Sequence, residues 1–118
     1  MPPSNQSVKN EKSVRFISKK AEKDLVSLPR DIKTQFAHAL DRIACGLDPT
    51  IEIDHLGEGL IELKINGSPA FRCVYYNKLP SVVVVVHSFK KTTNGPDQKN
   101  VDLAKTRLKS LDRTNFPD

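Results

Sequence analysis

Five consecutive valines, Val82 to Val86, constrain the fold of this 118-residue chain more than any other feature. β-Branched side chains crowd a helix and fit a pleated strand. A run without polar residues has no face to offer water, so Ser81 to Phe89 reads as a central strand buried on both faces. Five residues, the longest apolar run in the chain, fall far short of the roughly 18 that a membrane-spanning helix needs. No membrane partner is therefore expected.

The neighbouring segments supply strands for it to pair with. Leu60 to Ile65 alternates Ile61, Leu63 and Ile65 against Glu62 and Lys64, and Phe71 to Tyr76 alternates Phe71, Cys73 and Tyr75 against Arg72, Val74 and Tyr76. Asn66-Gly67 is a hairpin signal that Ser68-Pro69 lengthens. Upstream, the segment VRFIS is a short strand candidate. Ser18 caps a helix from Lys19 to Leu28, and Pro29 opens a second one running to about Cys45. In that helix Ile32, Phe36, Leu40 and Ile43 share one face, and Gly46 stops it. Asp48-Pro49 begins a stretch read as a connecting loop, punctuated by Gly57 and Gly59. After a polar loop, Lys90 to Pro96, the spacing of Val101, Ala104, Leu108 and Leu111 predicts a final helix over 97–111.

The order β-α-α-β-β-β-α predicts an α+β domain, in which a small, mostly antiparallel sheet packs on an N-terminal helical hairpin and a C-terminal helix follows. The length suits one domain. Its expected extent is 13–111, with tails at 1–12 and 112–118. The polar start of the chain has no apolar signal-peptide core, so a cytoplasmic location is expected. Cys45 and Cys73 are too few and too far apart for a disulfide scaffold or a zinc site, and read as two core thiols.

Charge is distributed unevenly. The net +5 comes from 19 bases and 14 acids. Residues 46–63 hold five acids and no base, whereas residues 64–91 hold Lys64, Arg72, Lys78, Lys90 and Lys91 and no acid. The base-only stretch predicts an uncompensated positive surface that attracts polyanions. The acidic stretch reads as solvating the surface or repelling wrong partners. If Leu63 and Cys73 face the helices, then Lys64, Arg72 and Tyr76 point to the other, partly free sheet face. Lys64 and Arg72 then become cross-strand neighbours on exposed positions. Like charges side by side cost energy, and an anion placed between them relieves that cost.

His38, His55 and His87 lie on separate segments with no metal-ligand spacing, and neither a phosphate-binding glycine loop nor a G-x-S-x-G elbow is present. A basic site without metal or cofactor remains. RNA can be cut there by its own 2′-hydroxyl, provided the protein aligns the backbone, neutralises the phosphate and moves protons. Arg and Lys side chains suit the charge role, since Arg can clamp a phosphate with two hydrogen bonds. His87, Tyr76 or a lysine could carry the proton.

The segments Glu62-Leu-Lys-Ile65, Phe71-Arg-Cys-Val-Tyr75, His87-Ser-Phe-Lys-Lys-Thr92, Pro96 and Ala104-Lys-Thr-Arg-Leu108 together resemble the phage-type HigB branch of the RelE/ParE toxin superfamily. The resemblance covers roughly residues 51–111. It implies a toxin of a type II toxin–antitoxin pair that cuts mRNA in the ribosomal A site and so inhibits translation. It also implies a helix-turn-helix antitoxin, through which alone operator DNA would be bound. By position, Arg72 matches the arginine at the scissile phosphate, Lys64 a basic position often filled by Arg, and Lys90 and Lys91 the basic pair after the last strand. His87 matches the family histidine. Two departures stand out: Ile61 replaces a common Trp, and Lys90 follows Phe89 directly where Gln is frequent. Catalytic expectations are therefore Arg72, Lys64, His87, Lys90, Lys91 and Tyr76, with Lys64, Arg72, Lys90 and Lys91 on RNA. Two alternatives are a ParE-like toxin that poisons DNA gyrase without cutting RNA, and an inactive partner that only binds its antitoxin.

Overall fold

A computed structural model describes residues 11–95 and 97–111. The expected tail at 112–118, most of that at 1–12, and Pro96 lie outside the described residues. Eight elements follow one another along the described chain: β1 (Ser13–Phe16), α1 (Lys19–Val26), α2 (Arg30–Ala44), β2 (Glu52–Gly57), β3 (Leu60–Ile65), β4 (Ala70–Tyr76), β5 (Val82–Lys91) and α3 (Gln98–Lys109). They form the expected α+β architecture. Five strands make one sheet in the order β1-β5-β4-β3-β2. β1 runs parallel to β5, and the other pairs are antiparallel.

The valine strand lies second in that order and is buried on both faces, as expected. Val83 and Val85 join Leu63, Phe71, Cys73 and Tyr75 in a core closed by Ile32, Phe36, Leu40 and Ile43 of α2. Val82, Val84 and Val86 point the other way, into a second core with Leu60, Val74, Tyr76, Leu79, Phe89 and Ala104. The second face is partly free, as expected. α3 covers part of it with Ala104, while Leu108 and Leu111 pack against the same cluster. Apolar side chains on both sides of β5 require this cover, because leaving either face wet would expose a row of valines.

Local signals account for the helices. The Ser18 hydroxyl accepts a hydrogen bond from the Ala21 amide at 3.1 Å and caps α1; such a cap contributes about 1 kcal/mol. The Asp97 carboxylate caps α3 in the same way. Among the described residues, no helix is long and apolar enough to cross a membrane.

Two expectations about the first half change. Residues 52–57 are a strand, not a loop: β2 pairs with β3 in the register Glu52↔Lys64, Ile53↔Leu63 and Asp54↔Glu62. Its exposed, acid-rich composition suits an edge strand in water and hides it from a search for apolar alternation. Lys12, placed at the end of the expected tail, is tied down. Its ammonium donates to the Asn77 side chain at 2.9 Å and to the Leu79 carbonyl at 2.8 Å. Cys73 is buried and Cys45 half-buried. Burial pushes the Cys73 thiol up to about 12, so it behaves as an apolar core group.

The β2–β3 turn carries the tightest backbone requirement. Gly59 has φ +84°, and a Cβ there would lie 2.8 Å from Tyr76 Cε1 and 3.0 Å from Lys78 Cγ. Gly59→Ala is expected to lower stability by about 1–3 kcal/mol, from strain and ring displacement together. A shift of the urea midpoint at constant slope measures it, and an unchanged midpoint would contradict the packing described.

Candidate functional site

Strand register builds the site. Lys64 lies directly opposite Arg72, and Arg72 lies opposite Phe89 of β5. The alternation that sends Leu63, Phe71 and Cys73 toward α2 leaves Glu62, Lys64 and Arg72 on the other face. The two cations are therefore cross-strand neighbours, as the spacing predicts.

Their surroundings differ from the expectation in two ways. Arg72 was expected on an exposed position, yet only 6% of its surface is accessible. It is flanked by β3 and β5, and its guanidinium donates to the Phe71 carbonyl at 3.0 Å. The positive surface is also not uncompensated. β2 brings Asp54 Oδ2 to 2.9 Å from Lys64 Nζ, and Glu62 Oε1 lies 3.7 Å from Arg72 Nε. Asp54 and Glu62, from the stretch expected to solvate the surface or repel wrong partners, thus supply counter-charges to Lys64 and Arg72.

Two clefts meet at Arg72. The first, about 330 Å³, is lined by Asp54, Leu56, Glu62, Lys64, Arg72, Lys91, Gly95, Asp97 and Val101. The second, about 290 Å³, runs under the loop after β5. Ser68, Thr92, Thr93 and Asn94 line it, and it shares Arg72, Lys91 and Gly95 with the first. Lys91 shapes this junction: its ammonium donates to the Thr93 carbonyl at 2.9 Å and also to that of Gly95. A guanidinium where two grooves join suits a linear polyanion, with a charge at the centre and a residue on either side.

Glu62 is the titratable group that this environment alters. Burial raises its carboxyl above the ordinary value of 4.5, and the attraction of Arg72 only partly reverses that. A carboxylate shifted toward neutrality next to a fixed cation is equipped to take a proton from a bound hydroxyl. Sequence reasoning passed over Glu62, although its place two residues before Lys64 puts both on one strand face.

The other expected residues are spread more widely. Lys90 lies opposite Phe71, on the α2 side of the sheet, so the basic pair is split and Lys91 alone reaches the clefts. Tyr76 is buried in the second core against Gly59 and lines neither of these clefts. His87 is also outside their linings and only 5% exposed. An irregularity in the β4–β5 register sets His87 opposite Val74 and Val85 opposite Tyr75, so Val86 and His87 both face the α3 side. The imidazole stacks on Phe89 with centroids 4.9 Å apart. Its Nε2 lies 2.7 Å from Asn100 Oδ1, and its Nδ1 lies 3.2 Å from Arg107 Nη1 and 3.3 Å from Asp24 Oδ2. Arg107 also donates to Asp24 at 2.7 Å and to the Val86 carbonyl at 3.0 Å. These contacts fasten α3 and α1 to β5. Asp24 is invisible as a partner in the sequence because 63 positions separate it from His87.

The family model described as Phage derived protein Gp49-like (DUF891) matches residues 23–109. The chain belongs to this Gp49-like family. The match runs from within α1 to the end of α3 and contains every cleft residue named above. The Gp49-like family is associated with toxin–antitoxin toxins of the RelE type, and membership implies an antitoxin partner. The small α+β fold with its mixed five-stranded sheet is compatible with a RelE-like fold. Neither curated proteins nor solved structures return a match.

Proposed function

We propose that this Gp49-like protein is a metal-independent endoribonuclease toxin of the phage-type HigB kind, which cuts mRNA in the ribosomal A site in the cytoplasm. In this reading a helix-turn-helix antitoxin neutralises it and links it to operator DNA. The observation that carries the reading is the junction of two clefts at Arg72, with Glu62, Lys64 and Lys91 around it.

The chemistry follows from these four groups. Arg72 holds the scissile phosphate, and the flanking nucleotides lie in the two clefts. Glu62 takes the proton of the 2′-hydroxyl, whose oxygen attacks the adjacent phosphorus. Arg72 and Lys64 stabilise the extra negative charge of the crowded phosphorane. The P–O5′ bond breaks, the leaving 5′ oxygen takes a proton from solvent water to become a hydroxyl, Glu62 gives its proton back to solvent, and a 2′,3′-cyclic phosphate remains. This reading moves the proton acceptor from His87 and Tyr76 to Glu62, because Glu62 lines the cleft. His87 then serves to hold α3 over the sheet, and Lys90 lies apart.

The test is induced expression in a bacterial host with mapping of mRNA 5′ ends. New ends at codon-phased positions within translated regions are expected. Growth arrest without new RNA ends would overturn the ribonuclease reading and favour a gyrase poison. No arrest at all would favour an inactive antitoxin-binding partner.

A further inference from the structure

The cleft carries as many acids as bases: Asp54, Glu62 and Asp97 against Lys64, Arg72 and Lys91. The three acids are not equivalent. Asp97 is committed to α3, accepting from the Asn100 amide and, at 2.8 Å, from its side chain. Glu62 is buried beside Arg72, with 10% of its side chain exposed. Asp54 stands on the edge strand with 56% of its side chain exposed, and its carboxylate sits 2.9 Å from Lys64 Nζ. Its neighbours on β2 are exposed as well, so the side chain can swing outward without uncovering a core.

A carboxylate at hydrogen-bond distance from a lysine occupies a place that a phosphate oxygen would take. We infer that Asp54 is a specificity-determining residue, a built-in anion that holds the phosphate position on Lys64 and must be displaced by the incoming RNA backbone. The inference rests on the ribonuclease reading and deepens it, because it sets which RNA the site accepts. With its bases already compensated, the cleft draws free RNA weakly. Binding neutralises few new charges and releases few counterions, so it depends little on salt. An RNA held in position by another body does not need that long-range attraction, since its phosphate arrives directly on Arg72 and Lys64. The selectivity favours a presented strand over a diffusing one.

The test uses the full chain and a single-stranded RNA oligonucleotide made uncleavable by 2′-O-methylation. Binding is followed by fluorescence anisotropy from 50 to 200 mM salt. Asp54→Asn keeps the side-chain shape and removes the charge. It is expected to bind roughly tenfold more tightly at low salt, as loss of one like charge near the phosphate implies. The slope of log K against log salt should steepen by about 0.7, the value for one further single-strand phosphate contact. Adding Lys64→Gln should cancel both changes, and urea unfolding confirms that each variant folds. Unchanged or weaker binding by Asp54→Asn would overturn the inference, assigning the carboxylate to holding Lys64 in place. A gain that survives Lys64→Gln would overturn it too. The ribonuclease reading fails separately, on the RNA-end mapping above, and such a failure would leave a binding gain at Asp54 intact.

Discussion

Arg72→Lys is expected to slow RNA cleavage by about 10²–10³-fold, the usual loss when one preorganised donor to a developing oxyanion is removed. Lysine keeps the charge beside Glu62 but gives up the planar fork that grips two phosphate oxygens. The choice of lysine follows from burial. With Arg72 only 6% exposed and Glu62 beside it, Arg72→Ala would leave a shielded carboxylate without its partner. Breaking a fully buried pair costs about 3–5 kcal/mol, and the opening of the cleft to water reduces that here. Loss of toxicity in the alanine variant could therefore reflect unfolding. Single-turnover cleavage of Arg72→Lys, with its urea midpoint measured alongside, separates chemistry from stability. A rate within a few-fold of the parent would remove Arg72 from the site.

Glu62→Gln is expected to cost about 10²–10⁴-fold in the same assay, the range for loss of a general base. The parent should show a pH profile with a definite sign. Glu62 must be ionised to accept a proton, and burial raises its carboxyl above 4.5. The cleavage rate should therefore climb with pH through the raised value and then level off. Glu62→Gln should be slow and lack that limb. Stability runs in the opposite direction. Between 4.5 and the raised value the folded chain binds more protons than the unfolded one, so stability falls as pH rises through that window. A Glu62→Gln variant as fast as the parent would return the proton to another group.

Much of the fold is legible in the residues. The valine run, the two alternating strands and the 3.6-residue periodicity of α2 each report burial directly, and burial decides where such segments lie. β2 is not legible that way. Its side chains are exposed on an edge, so nothing in its pattern records that it pairs with β3. The missed strand had a chemical consequence. Reading 52–57 as a loop leaves Lys64 without a counter-charge, whereas the strand carries Asp54 to it. The site was half legible for a related reason. Period-two alternation places Glu62, Lys64 and Arg72 on one face, but the depth of that face depends on α3 and on the loop after β5. The extra residue in β5 turns His87 toward α3, and local spacing does not reveal a shift of that kind. His87 and Arg107 meet in space through Asp24, and their distance from it in the chain hides that attachment of α3 from any local reading.

The most direct test of the central claim is end-group analysis with purified protein. A 5′-labelled mRNA is presented on ribosomes, with a codon in the A site, to the parent chain and to Arg72→Lys and Glu62→Gln. Cleavage within the A-site codon, leaving a 2′,3′-cyclic phosphate and strongly reduced in both variants, is the expected result. Intact mRNA with the parent chain, or cleavage unaffected by both substitutions, would contradict the account.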